Sequence, residues 1–417
     1  ADGGEHPDTS IGLFVYGDIG VDTSNCGNEA TPCKTIGFGL GKAKGTSGKT
    51  TVYVAVSTKS PYAETITLAP GITIEGGWTV TGAGDNAEWD RVCKLDDPTQ
   101  LARIVGTEIV TIHADDLGGE ATLRYLGIST KDAGSGESVY GLFVSGSSKV
   151  TLDNVLISAG PGGDGTPGAT GSPGAPGVVI PGGCMPGTPT TPAGGDAGVG
   201  ATLATLESTG VSTELGTNGS PGSSGGNGPV GSDGGCTSCL TCAIAVGACA
   251  GAAPSCGASG SAGCGGSGGG PGGAGQSGGS AIGIYAWGGS VVATAGKIEI
   301  GGGGRGGAGG NGGSGGEGGV GPTGASGPKC STSCATLGVA CTDTSTGSGD
   351  GGGGIGSRGG TGSTGGMGGG GAGGLSYGVV SGLDASVTIP ANTIAVKSGG
   401  QGGATGGPSG VSGERFP

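Results

Sequence analysis

Between residues 11 and 158 the apolar positions fall into short alternating or continuous runs that fit strands, and no long helical pattern intervenes. Val52–Val56, Ile66–Leu68, Ile72–Ile74, Ile109–Ile112, Leu123–Ile128, Leu142–Val144 and Val155–Ile157 are such runs. Glycine or polar residues close each one after a few positions. Short strands at tight spacing predict a β-solenoid, in which each coil buries its inward side chains against the next. One pattern then recurs. Tyr140–Val144 with Val150–Leu152 and Val155–Ile157 is echoed by Ile282–Tyr285 with Val291, Val292 and Ile298–Ile300. It returns as Tyr377–Val380 with Val387–Ile389 and Ile394–Val396. Three successive coils separated by glycine-rich insertions are the expectation.

Ile36, Leu40 and Ala43, at i, i+4 and i+7, predict a short helix. Gly37, Gly39 and Gly41 weaken it, since each costs about 1 kcal/mol in a helix interior. The segment Pro32-Cys33-Lys34-Thr35-Ile36, followed by Val52–Ala55, Tyr62–Leu68 and Ile72–Trp78, resembles the opening of right-handed parallel β-helix surface proteins of the pectate-lyase-like superfamily. That resemblance implies a capping helix followed by the first coil. It implies little about function, because the superfamily holds lyases, hydrolases, adhesins and inert scaffolds.

The insertions have a period of three. Glycine stands at every third position from 162 to 177, 216 to 234, 257 to 278, 303 to 327 and 353 to 374. From 304 to 319 a second register is also glycine, which leaves Arg305, Ala308, Asn311, Ser314, Glu317 and Val320 as the only side chains there. A three-residue period matches the polyproline-II backbone, whose donors and acceptors must be satisfied by neighbours. Proline, 22 residues of 417, is too sparse for collagen. The tracts resemble the polyglycine-II bundles of snow-flea antifreeze proteins and phage tail-tip adhesins in repeat type.

The expected fold class is therefore all-β: a right-handed parallel β-helix (solenoid) with an inserted polyglycine-II helix bundle and little α-helix. The expected organisation begins with an N-terminal extension over 1–10 and a β-helix body with its cap over 11–159. A glycine-rich insertion with a Cys-rich tip covers 160–280, a coil 281–300, a second glycine-rich hairpin 301–374 and the last coil 375–398. An unpaired arm over 399–417 ends the chain.

Composition narrows the function classes. The chain holds 114 glycines, 3% aromatic and 12% charged residues, so its stability must come from repetition and staples. A formal net charge of -14 argues against nucleic acid. No apolar run reaches the ~18 residues of a membrane span. The opening Ala1-Asp2-Gly3-Gly4 suits a mature chain whose signal peptide has been removed. Thirteen cysteines in small-residue loops point to an oxidising compartment, hence to an extracellular or cell-surface location.

The disulfide candidates are Cys26, Cys33, Cys184, Cys236, Cys239, Cys242, Cys249, Cys256, Cys264, Cys330, Cys334 and Cys341, with Cys93 left over. Cys26 and Cys33 would close a small loop, and the others would staple the tips of the glycine arms. The Cys236-x2-Cys239-x2-Cys242 spacing also suits a zinc site, but disulfides are favoured. Asp96-Asp97 and Asp115-Asp116 lack an accompanying His or Arg cluster, so they read as solvated turns. His6 and His113 stand in no ligand or nucleophile motif, and Trp78, Trp89 and Trp287 read as packing. No catalytic residue, metal or cofactor is expected, and the chain is read as not an enzyme.

A secreted structural protein is the reading this supports, the homopolymeric subunit of an extracellular filament or surface layer. Gly400, Gly403, Gly407, Gly410 and Gly413 of the final arm are the assembly candidates, since unpaired backbone there invites a neighbouring subunit. The alternative is an adhesin, or an ice- or glycan-binding protein, that meets a surface receptor or glycan through the tip loops or the glycine bundle.

Overall fold

A computed structural model describes residues 5–91, 98–180, 194–228, 230, 258–325, 355–382, 384–391 and 393–416, together with the backbone of four short strands within 236–256. Its first part carries β1 (Gly12–Val15), helix α1 (Ile36–Gly45), β2 (Thr51–Ala55), β3 (Tyr62–Ala63), β4 (Ile66–Thr67), β5 (Thr73–Thr81) and β6 (Glu88–Arg91). Next come β7 (Ala102–Val105), β8 (Val110–Asp115), β9 (Glu120–Arg124), β10 (Leu126–Ser129), β11 (Val139–Ser145) and β12 (Lys149–Ala159). A hairpin, β13 (Thr205–Glu207) and β14 (Gly210–Ser212), precedes β15 (Cys236–Thr237), β16 (Leu240–Ala243), β17 (Ala248–Gly251) and β18 (Ser255–Cys256). The last strands are β19 (Ala281–Trp287), β20 (Ser290–Ile300), β21 (Ser376–Gly382), β22 (Ser386–Thr388), β23 (Ile394–Val396) and β24 (Ser412–Phe416).

Helix α1 forms because Thr35 caps it, its side chain accepting from Phe38 N–H, and because Ile36, Gly39, Leu40 and Ala43 share its buried face. Glu64 adds a second cap. Its carboxylate accepts from the N–H groups of Ile36 at 2.9 Å and Gly37 at 2.8 Å.

Two sheets carry the body. The twelve-stranded sheet follows the path β1-β2-β5-β9-β12-β10-β7-β3, with β6, β20, β22 and β23 attached to it. The six-stranded sheet runs β24-β21-β19-β11-β8-β4. Every pairing along both paths is parallel, and β6 joins β5 antiparallel. Between the sheets lies the main core. Its clearest row is Ile104, Ile128, Ile157, Ile298 and Ile394, aligned strand to strand by register. A second cluster on the outer face of the six-stranded sheet, including Tyr140, Phe143, Tyr285 and Tyr377, is roofed by Leu206 and Val211 of the β13–β14 hairpin.

These pairings correct the expected fold. A repeating solenoid keeps its faces apart and gives each coil the same strands. Here β12 pairs with β9 through Lys149–Asp153 and with β10 through Leu156–Ser158, which fuses two ribbons into one mixed sheet whose path turns back on itself. Strands range from two to eleven residues, and a single short α-helix accompanies them among the described residues. The right-handed parallel β-helix reading, and with it the resemblance to pectate-lyase-like surface proteins, gives way to a mostly β fold built on a non-repeating, largely parallel sheet.

The inserted polyglycine-II bundle is corrected as well: the tracts hydrogen-bond to one another, but they run directly into the sheets instead of forming a separate insertion. Residues 165–177 donate to 305–317, as in Gly165 N–H to Arg305 O at 2.7 Å and Gly177 N–H to Glu317 O at 2.7 Å. Residues 304–319 donate to 264–279, and one register of that tract donates back to 163–175. Its other register, Gly263 to Gly278, donates to 357–372. Glycine is demanded by this proximity. A Cβ on Gly310 would lie 2.0 Å from the carbonyl oxygen of Ala169.

Residues 399–417 were expected to form an unpaired arm, yet its described residues bond within the chain from Gly400 to Phe416. Gly400 N–H donates to Gly374 O at 2.9 Å, Gly403 N–H to Gly371 O at 2.8 Å and Gly410 N–H to Gly400 O at 2.8 Å. Residues 412–416 then return as β24 beside β21. The N–H groups of Gly400, Gly403, Gly407 and Gly410, which were to recruit a neighbouring subunit, are occupied.

Candidate functional site

The row of isoleucines fixes what lies on the other side of its strands, because side chains alternate faces along a strand. Turned outward, Val105, Ser129, Ser158, Glu299 and Ala395 align across β7, β10, β12, β20 and β23. A second outward row aligns Arg103, Gly127, Leu156 and Lys297. Neighbouring positions in a row stand about 4.8 Å apart, the strand spacing.

Together the rows floor a groove. One depression of about 240 Å³ is lined by Thr99, Arg103, Gly127, Ser129, Ser158 and Glu299, among others. A second, of about 380 Å³, shares Ser158 and Glu299 and continues past Gly160, Gly301 and Ala395 to Lys397. Gly127 keeps the floor low at the centre, since an added Cβ would first touch the Arg103 side chain at 3.5 Å.

Most polar groups in the groove are uncommitted. The Arg103 guanidinium and the Ser129 and Ser158 hydroxyls make no hydrogen bond or ion pair with the described residues. Glu299 is held by Lys297, with Nζ 2.5 Å from its Oε1. Arginine offers a planar fork of donors suited to carboxylates and other oxyanions, and each hydroxyl both donates and accepts. Glu299 supplies the acceptor that can take a hydrogen bond or a proton from a ligand.

Sequence reasoning missed these residues. Their signal is a polar residue at alternate positions of Ala102–Val105, Leu126–Ser129, Leu156–Ser158 and Lys297–Ile300, visible only once those segments are known to be neighbours.

The residues singled out in the sequence lie elsewhere. Cys26 and Cys33 are joined by a disulfide, with Cα atoms 4.9 Å apart. Asp22 lies beside them, but both sulfurs are committed, and its carboxylate accepts from the N–H groups of Lys34 and Thr35. Cys264 is disulfide-bonded as well. Backbone register sets Cys236 opposite Cys256 and Cys242 opposite Cys249. Cys93, Cys184, Cys239, Cys330, Cys334 and Cys341 lie outside the described residues, as do Asp96 and Asp97.

Gly400, Gly403, Gly407 and Gly410 sit in the bonded tract described above, and Gly413 is in β24 beside Tyr377. Asp115 is 3.2 Å from His113 Nδ1 and accepts from Ser145 Oγ at 3.0 Å, while Asp116 accepts from Ser147. Trp78 and Trp89 are buried beside Phe14 and Tyr53, and Trp287 stacks on Tyr285 at 6.2 Å.

Three functional expectations are corrected by this arrangement. The filament or surface-layer subunit rested on repeated coils and a free final arm; the sheet does not repeat and the arm is bonded in its own chain. The adhesin, ice- or glycan-binding alternative acting through tips or glycine bundle loses the same premise of projecting arms. The reading as a non-enzyme also falls, because an eight-strand path with every pairing parallel is a scaffold on which enzymes are built.

Among the described residues, no helix is long and apolar enough to cross a membrane. No protein-family model matches the chain, and neither the curated proteins nor the solved structures yield a match.

Proposed function

We propose that the protein binds an extended polar ligand, bearing a carboxylate or other oxyanion, across the outward face of β7, β10, β12, β20 and β23. The observation that carries this reading is the set of groups uncommitted among the described residues in one open groove: Ser129 and Ser158 in register with Glu299, and Arg103 in the adjacent outward row. Two hydroxyls aligned at strand spacing, with the Arg103 guanidinium in the neighbouring row, offer donors along a path that an extended chain can follow. Arg103 anchors the charge, the serines read successive polar groups, and Glu299 accepts from the ligand at the far end.

Titration with short linear oligomers, with and without carboxylates, tests it by calorimetry. Arg103→Ala is expected to weaken binding of the carboxylate-bearing oligomers about 10-fold or more, the worth of one hydrogen bond to a charged group. Equal affinity for both kinds of oligomer, or none for either, refutes it. An extracellular setting is part of the same proposal. It is supported by the disulfides at Cys26–Cys33 and Cys264, which persist in oxidising compartments.

A further inference from the structure

The two ends of the sheet stack are finished differently. At the first end, the outer edge of β1 is covered by the chain's own segment 27–33: Phe14 N–H donates to Gly27 O at 3.2 Å, Cys33 N–H to Phe14 O at 2.9 Å and Tyr16 N–H to Cys33 O at 2.9 Å. Helix α1 buries Ile36, Leu40 and Ala43 against the core there. The other end, formed by β22, β23 and β24, has no such cover among the described residues. Val387, Ile389, Ile394 and Val396 remain only partly buried there.

The direction of the open hydrogen-bonding groups follows from the ladders. In a parallel pair, alternate residues bond to the same neighbour. Ser386 donates inward to Gly289 O and Lys397 inward to Ile300 O. Ser376 donates to Val411 O. The N–H groups of Val387, Ile394, Val396, Ser412 and Glu414 therefore point away from the stack.

We infer that this end is closed by a second copy of the chain, turned end for end, so that the two sets of edges pair in a two-fold dimer. An edge of main-chain groups is satisfied by another such edge. The charges favour a like partner. Lys397 and Arg415 balance Asp384 and Glu414 on this end, whereas the chain as a whole carries a net charge of -14 and repels its copies elsewhere. A copy approaching with its first end finds the β1 edge already bonded to 27–33 and α1 packed beside it, so the contact closes at two subunits.

Sedimentation equilibrium of the full chain over a wide concentration range tests the inference. The expected mass is twice 38.1 kDa, reached and not exceeded. The double variant Val396→Pro, Glu414→Pro removes two outward donors and no inward one, and is expected to raise the dissociation constant more than tenfold with circular dichroism unchanged. Should that variant not fold, hydrogen exchange of the natural chain decides. Amides of Ile394, Val396, Ser412 and Glu414 are expected to slow as concentration rises. Monomer at every concentration, mass that grows without limit, or exchange at those amides independent of concentration overturns the closed pair.

Discussion

Replacing Gly310 by alanine perturbs the glycine layers where side chains are least tolerated. Gly310 N–H donates to Gly273 O at 2.8 Å, and its own carbonyl accepts from Gly368 N–H at 2.8 Å. The new Cβ would stand 2.0 Å from Ala169 O, 2.6 Å from Ala169 C and 2.8 Å from Gly168 O. All three are backbone atoms, so no side chain can swing aside, and the 165–177 tract must retreat. Gly168 N–H to Ala308 O and Gly171 N–H to Asn311 O, both 2.8 Å, are the bonds that stretch.

Two such bonds are worth about 2 kcal/mol, and the overpacking adds about 1–3 kcal/mol. Stiffening the unfolded chain returns about 0.5–1 kcal/mol. A net loss of about 3 kcal/mol corresponds, at the usual unfolding entropy per residue, to a fall of roughly 3–4 °C in Tm for a chain of this length. Scanning calorimetry measures it. Gly194→Ala is the control, since its Cβ would meet nothing nearer than Thr364 O at 3.9 Å. Equal Tm values for the two variants, or an unchanged Tm for Gly310→Ala, would refute the argument that backbone proximity demands glycine here.

Three further outcomes are expected. Asp18 is subject to desolvation, which raises its pKa, but hydrogen bonds from Ser57, Thr58 and Lys59 outweigh it and bring the value to about 2. With the folded value depressed, its stabilisation is present above the unfolded pKa of about 3.9 and is lost as pH falls towards 2; Asp18→Asn should lower Tm at neutral pH and flatten that acid limb in a pH series of melts. Cutting the Cys26–Cys33 bridge by a double Ser substitution should remove about 2 kcal/mol, from the entropy of closing so short a loop, read as a lower denaturant midpoint. Glu64→Ala strips the Ile36 and Gly37 N–H groups of their acceptor and should cost about 1–3 kcal/mol, with fraying of α1 visible by hydrogen exchange.

Local structure was legible in the sequence wherever one residue's neighbours along the chain decide it. Ile36, Leu40 and Ala43 do line the buried face of α1, and Val110, Thr111 and Ile112 of the predicted run open β8. The three-residue glycine period was equally plain. What each tract pairs with was not, because the donors and acceptors of Gly310 and Gly400 are the same chemical groups as those of every other glycine. Only the spatial order of tracts shows that 398–411 is already bonded. The groove escaped for a related reason: Arg103, Ser129, Ser158 and Glu299 come from four strands, and each looks like an ordinary outward polar residue in its own segment.

The glycine layers bury peptide groups rather than hydrocarbon. Unfolding them exposes polar surface, which lowers the heat capacity, and little apolar surface, which raises it. The heat-capacity increment per residue should therefore fall below the usual ~12–15 cal/mol/K. A smaller increment flattens the dependence of stability on temperature and moves cold denaturation further below freezing. A molecule whose interior is this largely main chain should hold nearly constant stability over a range of temperature in which a hydrocarbon core of equal size would weaken at both extremes.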